Sequence, residues 1–284
     1  MTFADITIGV DPDIFSVGGL TITWHGVFTA LAVLTAFLIT LYLVKREGSG
    51  ITEDDVYAVA LWAIPGGIVG ARLVSIFDDF NYYLNNPGEI VDFQGLGVWG
   101  AILGGAIVGV IVARLRRLPV LHMADLTAPG MLVAMMIGRI GCLINGDAYG
   151  TPTGLPWGIV YTNPGAFAPL GLAGHPAPVY EMMWDGVVLA AVWQLRRIWP
   201  RPAGFIFLSY FALYSLGRFF ISYLRENPES ALGLQQAQII SIITLLITVP
   251  LTVYLWRRGP DAEPPDAITS GRSRRKRQAA RVQP

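Results

Sequence analysis

A short polar stretch, GRIGCLINGDAYG at 138–150, follows the apolar segment 128–137 and carries side chains that can do chemistry. Arg139 offers a guanidinium, which binds phosphates and carboxylates through two parallel hydrogen bonds. Cys142 and Asp147 add a thiol and a carboxylate within the next eight residues. If this segment lies in a membrane, the arginine is costly to place there, so its presence needs a chemical reason.

The composition of the chain indicates that these residues are surrounded by lipid. Hydrophobic residues make up 53% of the 284 residues and charged residues only 14%, whereas soluble domains carry about 25% charged residues. The mean hydropathy is +0.51. Such a surface has too little charge to stay dispersed in water. We therefore expect an all-α integral membrane protein, and the single cysteine excludes an internal disulfide.

Seven apolar stretches are long enough to cross a hydrocarbon core, which takes about 20 helical residues for ~30 Å. They are 21–44, 57–77, 96–115, 124–145, 178–195, 203–224 and 236–256. Gly100 and Gly104 in the third stretch form a small-residue face, which lets helix backbones approach closely. The sequence thus predicts one seven-helix transmembrane domain over residues 1–258, with an outer-face loop at 146–177.

The basic residues predict how this bundle is oriented. Sixteen of the twenty Lys and Arg lie after the first, third and fifth apolar stretches and in the C-terminal tail. Such residues mark the cytoplasmic side of a membrane. The opposite connections, 78–95 and 146–177, contain neither Lys nor Arg. We expect the N-terminus outside, the C-terminus in the cytoplasm, and residues 259–284 as a disordered basic tail.

Four arginines are not explained by topology, because each lies within or at the outer end of a predicted helix. They are Arg72, Arg139, Arg218 and Arg225. One explanation is that they pair with buried acids. The acids available are Asp147, Glu181, Asp185 and Glu226. The other explanation, which we favour, is that guanidiniums on an outward-facing, lipid-accessible surface bind the phosphate of a phospholipid head group.

The sixth helix carries two of these arginines on one stripe. Tyr214, Arg218, Ser222 and Arg225 follow one another at i, i+4, i+8 and i+11. The stripe is predicted to present a phenol, two guanidiniums and a hydroxyl on one face.

Two histidines, His25 and His175, are predicted to share the outer leaflet with Arg139 and Asp147. An imidazole there can move a proton, although a lone histidine more often only fills a space and forms a hydrogen bond. Three dispersed histidines and one cysteine do not make a metal site. We therefore expect no metal and no other cofactor.

Several motifs, taken in order along the chain, resemble the prolipoprotein diacylglyceryl transferase family. GRIGCLINGDAYG resembles the family signature, usually GRxGNFxNxExxG. Further resembling segments are TITWHG (21–26), GARLVSIF (70–77), LGVWGAILGG (96–105), PWGIVY (156–161), HPAPVYE (175–181), LYSLGRFFISYLRE (213–226) and QAQIIS (236–241). The resemblance implies a seven-helix bundle with an external N-terminus, in agreement with the topology predicted from the basic residues.

The resemblance also implies an enzyme of the bacterial plasma (inner) membrane whose active site faces outwards. Such an enzyme transfers the diacylglyceryl group of phosphatidylglycerol to the lipobox cysteine in the signal peptide of a lipoprotein precursor. A thioether forms and glycerol phosphate leaves, with no need for a metal, nucleotide or nucleic acid. Two alternatives stay open: a diverged member that uses another acceptor, and a non-catalytic protein that binds or translocates phospholipid.

Carried over by position, the resemblance assigns phosphate binding to Arg139 and an essential role to Arg218. The predicted catalytic residues are Arg139, Arg218, Asp147, His25 and Tyr214. The predicted phospholipid-binding residues are Arg139, Arg218, Arg72, Asn145, Gly150, His175 and Glu181. We expect Arg139 and Arg218 to line one cavity that opens outwards and sideways to lipid, with His25 facing it as a hydrogen-bonding group rather than as the general base.

The chain departs from the family's usual residues at five positions. Cys142 stands where Asn is usual, Asp147 where Glu, His25 where Tyr, Trp99 where many members have His, and Ser222 where Glu is customary. The arginines are kept while the acidic partners are reduced. This pattern predicts retained phospholipid binding, with the choice of acceptor depending on the altered residues.

The C-terminal tail is predicted to be dispensable for chemistry. It contains three prolines by residue 265 and the run RSRRKRQAAR, with no apolar periodicity. Ending the chain after Arg258 should leave the membrane orientation and the specific activity unchanged. Reporter fusions and an activity assay on correctly inserted protein measure both, and a loss of specific activity contradicts the prediction.

Overall fold

The computed structural model describes residues 6–17, 20–47, 50–86, 88, 98–197 and 201–259. Within these ranges the chain is mostly helical. The helices are α1 (Trp24–Glu47), α2 (Glu53–Asp78), α3 (Phe80–Asn85), α4 (Val98–Leu115), α5 (Val120–Asn145), α6 (Ala177–Leu195), α7 (Phe205–Ser222) and α8 (Gln236–Arg258). Each of the seven predicted apolar stretches overlaps one of the seven long helices.

Five of the described helices, α1, α2, α5, α7 and α8, are long and apolar enough to cross a membrane. The apolar part of α4, Gly100–Leu115, is shorter. Helix α6 carries Glu181 and Asp185 within its first half, which lowers its hydropathy. The structure therefore supports a multi-pass helical membrane protein, and the count of seven spans stays a prediction.

The described chain forms two compact units. The first contains the described residues of 1–40 and 124–259, and the second those of 41–123. The division falls within α1, after Thr40, and within α5, before Ala124. Most of the predicted site residues belong to the first unit.

The core of the first unit lies where α5, α6 and α7 meet. Its buried side chains are Ala128, Leu132, Val188, Val192, Phe205, Ile206 and Tyr210. Buried Asp125 of α5 adds a polar link, since it accepts hydrogen bonds from the backbone N–H groups of Gly204 (2.9 Å) and Phe207 (2.8 Å). These N–H groups at the start of α7 have no partner within the helix, so Asp125 holds α7 in register with α5.

Two glycines allow the helices that carry the polar residues to approach closely. A Cβ on Gly141 of α5 would lie 3.0 Å from the Cα of His25, at the start of α1. A Cβ on Gly217 of α7 would lie 2.0 Å from the indole nitrogen of Trp184 on α6. That indole N–H donates to the carbonyl of Leu213 at 2.9 Å. Close packing of α6 on α7 therefore depends on the missing side chain at Gly217.

The second unit is held by glycine contacts between α2 and α4. A Cβ on Gly70 would lie 2.3 Å from the carbonyl oxygen of Gly100, and one on Gly104 would lie 2.4 Å from that of Gly66. The small-residue face predicted in the third apolar stretch is thereby confirmed.

Within the described ranges, seven short strands lie before and between the helices, a feature that the all-α prediction did not include. They are β1 (Ile6–Ile8), β2 (Asp13–Val17), β3 (Leu20–Thr23), β4 (Ile159–Tyr161), β5 (Ala173–Gly174), β6 (Glu229–Ala231) and β7 (Leu234–Gln235). Strand β4 pairs in parallel with β1 and antiparallel with β5, and the others form two hairpins. Extended segments outside the helices must pair their backbone groups, and short strands do this locally.

We predict that Gly217→Ala weakens the first unit. The new methyl group would displace the Trp184 indole and break its bond to the Leu213 carbonyl. The thermal unfolding midpoint in detergent should fall by several degrees. Gly138→Ala is the matched control, because a Cβ there meets nothing within 4 Å and a helix gains about 0.5–1 kcal/mol from Gly→Ala. If both variants unfold at the wild-type midpoint or above it, the close contact between Gly217 and Trp184 is unimportant for stability.

Candidate functional site

Three arginines of the first unit converge on one carboxylate, that of Glu181 in α6. Nη2 of Arg139 lies 2.5 Å from Oε2. Arg218 and Arg225 both donate from Nη1 to Oε1, the latter at 2.9 Å. The Glu181 side chain is only 3% exposed. We call Glu181 and these three arginines the arginine cluster.

Each member of the cluster is placed by the end of a helix. Arg139 is in the last two turns of α5, and Glu181 is in the second turn of α6. Arg218 lies one turn before the end of α7. Arg225 follows that end, where its carbonyl accepts a hydrogen bond from Nε2 of Gln235 at 3.0 Å. Four chain segments therefore meet at one buried charge.

The cluster carries an excess of positive charge. Three guanidiniums share the Glu181 carboxylate, and a second acid that interacts with Arg139 and Arg218, Asp185, lies one turn further along α6. Asp185 is 1% exposed, and neither of its carboxylate oxygens has a hydrogen-bond partner among the described residues. Even with both acids ionised, the group has a net charge of +1. A further anion beside the arginines would compensate it.

The stripe predicted on the sixth helix is present only in part. Tyr214 lies one turn before Arg218, and its phenol interacts electrostatically with both Arg139 and Arg218. The Ser222 hydroxyl was predicted to face the same side, but it instead donates to the Arg218 carbonyl at 2.6 Å. A serine hydroxyl within a helix often bonds the carbonyl four residues back. The prediction for Ser222 was therefore wrong.

A second polar group adjoins the cluster through Cys142. Its Sγ lies 3.8 Å from Nη1 of Arg139 and 3.9 Å from Nδ1 of His25. The same imidazole nitrogen lies 3.5 Å from Oδ2 of Asp147, and Asn145 donates to that oxygen at 2.9 Å. We call His25, Cys142 and Asp147 the thiol triad.

The triad is assembled by the end of α5. Gly146 follows this helix with φ +73°, a conformation that favours glycine, and its N–H bonds the Cys142 carbonyl at 2.9 Å. The chain thereby turns Asp147 back towards Cys142. Tyr161 holds the same turn by donating to the Leu143 carbonyl at 2.8 Å. Burial, together with the charge of Asp147, raises the pKa of Tyr161 to about 12, so the phenol keeps its proton.

Comparison with known proteins identifies the family. A sequence model of the prolipoprotein diacylglyceryl transferase family matches residues 12–254. The chain belongs to this family. A phosphatidylglycerol–prolipoprotein diacylglyceryl transferase of Dehalococcoides mccartyi is 38% identical over 252 residues, which are 88% of this chain and 96% of the relative. Proteins with the same name from Clostridioides difficile and Geobacter sulfurreducens are 35% and 34% identical, over 86% and 88% of this chain and 95% and 96% of theirs.

The segment 146–177 of this transferase, together with Pro178 and Glu226, lines an open cavity of about 220 Å³. Gly150 and His175 are among the residues that line it. A Cβ on Gly150 would lie 2.5 Å from the carbonyl oxygens of His175 and Leu224, so Gly150 has a packing function. The His175 ring nitrogen Nδ1 lies 3.3 Å from the hydroxyl of Tyr180.

Two groups of the predicted site residues are brought together within the first unit. Arg139, Arg218 and Glu181 belong to the arginine cluster. His25 and Asp147 belong to the thiol triad, and Asn145 donates to Asp147. Arg72 belongs to the second unit, where Nη1 donates to the Tyr83 hydroxyl at 3.3 Å and the guanidinium lies over that ring. The tail from residue 260 onwards lies outside the described residues.

Two residues of the site are not among those predicted from the sequence. Arg225 was noticed as unexplained and was left out of the predicted site, yet it completes the arginine cluster; its place on the stripe with Arg218 was the available signal. Cys142 is a thiol close to Arg139 in sequence, yet it was not among the predicted site residues. Its signal was the spacing i, i+3 from Arg139, which puts both side chains on one face of α5.

We predict that Glu181→Gln destabilises the protein strongly. The substitution leaves three largely buried guanidiniums without their shared counter-charge, and breaking a buried ion pair in this way costs about 3–5 kcal/mol. The unfolding midpoint in detergent should drop. Inorganic phosphate should raise the midpoint of the variant by more than it raises the midpoint of the wild type. Glu229→Gln, at an exposed position, is the control and should change stability by less than about 0.5 kcal/mol. Similar midpoints in the two variants would mean that the cluster is not held by Glu181.

Proposed function

We propose that this chain transfers the diacylglyceryl group of phosphatidylglycerol to the cysteine thiol of a prolipoprotein. The names of its relatives state both substrates. The observation that carries the proposal is the excess positive charge of the arginine cluster, buried among apolar helices. A phosphate diester with one negative charge is the anion that a lipid offers at such a place.

The chemistry needs that charge at the leaving group. The acceptor sulfur attacks the glycerol carbon of the diacylglyceryl group, and the electrons of the carbon–oxygen bond pass to the phosphate. Glycerol phosphate leaves with a greater negative charge than the diester carried. Arg139 and Arg218 hold this phosphate, and their fixed positions on Glu181 lower the barrier because no reorganisation is needed as charge develops.

The remaining residues have supporting roles in the proposal. The phenol O–H of Tyr214 donates a hydrogen bond to the bound phosphate beside Arg218. Asn145 orients the Asp147 carboxylate through the bond they share. Gly150 and His175 line the outer cavity, which admits the head group or the precursor. The acceptor thiol must lose a proton, and His25 with Asp147 are the titratable groups of the first unit beside Cys142.

We further propose seven spans, an external N-terminus and an active site on the outer face of the inner membrane. The polar groups lie at the start of α1 and α6 and at the end of α5 and α7. The opposite ends of α6 and α8 carry basic residues, namely Arg196 with Arg197 and Arg257 with Arg258. Basic ends are retained in the cytoplasm, so this arrangement supports an outward-facing site.

The proposal predicts that Arg139→Ala and Arg218→Ala each lower the transfer rate by at least ~10²-fold, the usual loss when one donor to a developing anion is removed. Lysine should restore little, because it lacks the bidentate fork. The assay contains purified protein, phosphatidylglycerol and a lipobox peptide, with mass spectrometry of the thioether adduct. Arg46→Ala removes a cation at the other end of α1 and should keep the wild-type rate.

Three results would count against this function. A near-normal rate in Arg139→Ala would end its role at the phosphate. A wild-type protein that binds phosphatidylglycerol and forms no adduct would be a lipid-binding protein. A thiol other than the lipobox cysteine as the preferred acceptor would make the chain a diverged transferase.

A further inference from the structure

The thiol triad combines three side chains that commonly bind metal ions. Nδ1 of His25, Sγ of Cys142 and a carboxylate oxygen of Asp147 all lie within 4.8 Å of one another. In sequence, His25 is more than a hundred residues from the other two, and their dispersion was the reason to expect no metal site. The approach of α1 to α5 at Gly141 removes that reason.

The distances between the three ligand atoms are short enough for a tetrahedral zinc site to form after a small adjustment. With Zn–S of about 2.3 Å and Zn–N and Zn–O of about 2.0–2.2 Å, neighbouring ligand atoms are about 3.4–3.6 Å apart. The His25–Asp147 distance is 3.5 Å and the His25–Cys142 distance is 3.9 Å. The third distance, between the ligand atoms of Cys142 and Asp147, is at most 4.8 Å. The Asp147 side chain is 33% exposed, so a small rotation of its carboxylate can shorten that distance.

The choice of donors indicates which cation fits. A thiolate with an imidazole favours zinc and similar transition metals, whereas magnesium and calcium prefer oxygen ligands alone. One thiolate and one carboxylate neutralise a divalent cation completely, which suits a site near lipid. Asn145 already fixes the carboxylate by a 2.9 Å bond, the kind of outer contact that orients a metal ligand.

The nearest cation does not oppose this binding. Arg139 is the guanidinium closest to Cys142, at 3.8 Å, and it is also 2.5 Å from the Glu181 carboxylate. A guanidinium beside Cys142 favours the thiolate, which is the form of the side chain that binds a metal. The metal and the arginines can therefore occupy neighbouring positions, each with its own anionic partners.

The triad leaves one coordination position for an exchangeable ligand. It supplies three protein donors, and the side chains of His25 and Asp147 are 36% and 33% exposed. Three protein ligands with a fourth, open position are the arrangement of catalytic zinc sites, whereas structural sites are closed by four protein ligands.

We propose that His25, Cys142 and Asp147 bind a zinc-class divalent cation whose fourth ligand is the thiolate of the acceptor cysteine. This inference rests on the proposed transfer function. The acceptor S–H ionises on binding the metal and its proton goes to water, since a metal-bound thiol is deprotonated outright. The sulfur then attacks the glycerol carbon, the carbon–oxygen electrons leave with the phosphate held by Arg139, and the neutral thioether, a weak ligand, dissociates.

Cobalt(II) is the probe for the site, because it replaces zinc and its absorption reports thiolate ligands. Purified full-length protein, freed of metal with a chelator, is titrated with Co²⁺ in detergent. We expect one equivalent to bind with strong sulfur-to-cobalt absorption. Cys142→Ser should abolish that absorption, and His25→Ala or Asp147→Ala should weaken binding at least ~10-fold. His122→Ala, a histidine outside the triad, should bind like the wild type.

The acceptor is tested in the same spectrum. Adding a lipobox peptide should increase the sulfur-to-cobalt absorption, because a second thiolate joins the metal, and the peptide with serine in place of cysteine should not. The metal-free protein should transfer the lipid at least ~10-fold more slowly, and zinc should restore the rate.

The outcomes separate this inference from the proposed function. Absence of stoichiometric binding, or full sulfur-to-cobalt absorption in Cys142→Ser, overturns the metal site, whereas transfer by metal-free protein leaves the transferase function intact. Metal binding with an unchanged spectrum on adding peptide overturns the thiolate ligand. A chain that binds metal and peptide thiolate and yields no thioether with phosphatidylglycerol overturns the function while the site stands.

Discussion

The arrangement of the candidate site depends on the ion pairs that the buried Glu181 carboxylate forms with three arginines. Three guanidiniums that would each be costly among apolar helices share this one acid. A single carboxylate cannot neutralise three cations. The remaining positive charge must be compensated by the fixed geometry of the cluster and by neighbouring acids. The same incompleteness that costs stability leaves positive charge available for a ligand.

The geometry of this cluster is set by packing some distance from the charges. Gly217 lets Trp184 lie against α7, which brings Arg218 to Glu181. Asp125 satisfies the first N–H groups of α7 and keeps its register with α5. Buried helices leave little freedom for an ion pair to adjust, because interiors are close-packed. Small residues and one helix cap thus decide where the arginines can point.

Cys142 connects the two polar groups of the first unit. It lies 3.8 Å from Arg139 and 3.9 Å from His25, so a phosphate on the arginines and a thiol at the triad would be neighbours. A displacement at carbon needs the nucleophile and the leaving group close to the same atom, and holding both in place removes much of the entropic barrier. The three triad residues are also positions at which the sequence departs from the family's usual pattern. Their proximity suggests that these departures belong to one change in the site.

The sequence by itself determined the membrane character and the positions of the long helices, and it marked Arg139 and Arg218 as candidate site residues. Those features depend on local properties: the length of an apolar run, the side that carries basic residues, and motif order. Only the tertiary structure decided that Arg139, Arg218 and Arg225 share Glu181, that the Ser222 hydroxyl turns to its own helix, and that His25 meets Cys142 and Asp147. Contacts between residues far apart in the chain depend on how helices pack, and no periodicity along one helix records which helix will be its neighbour.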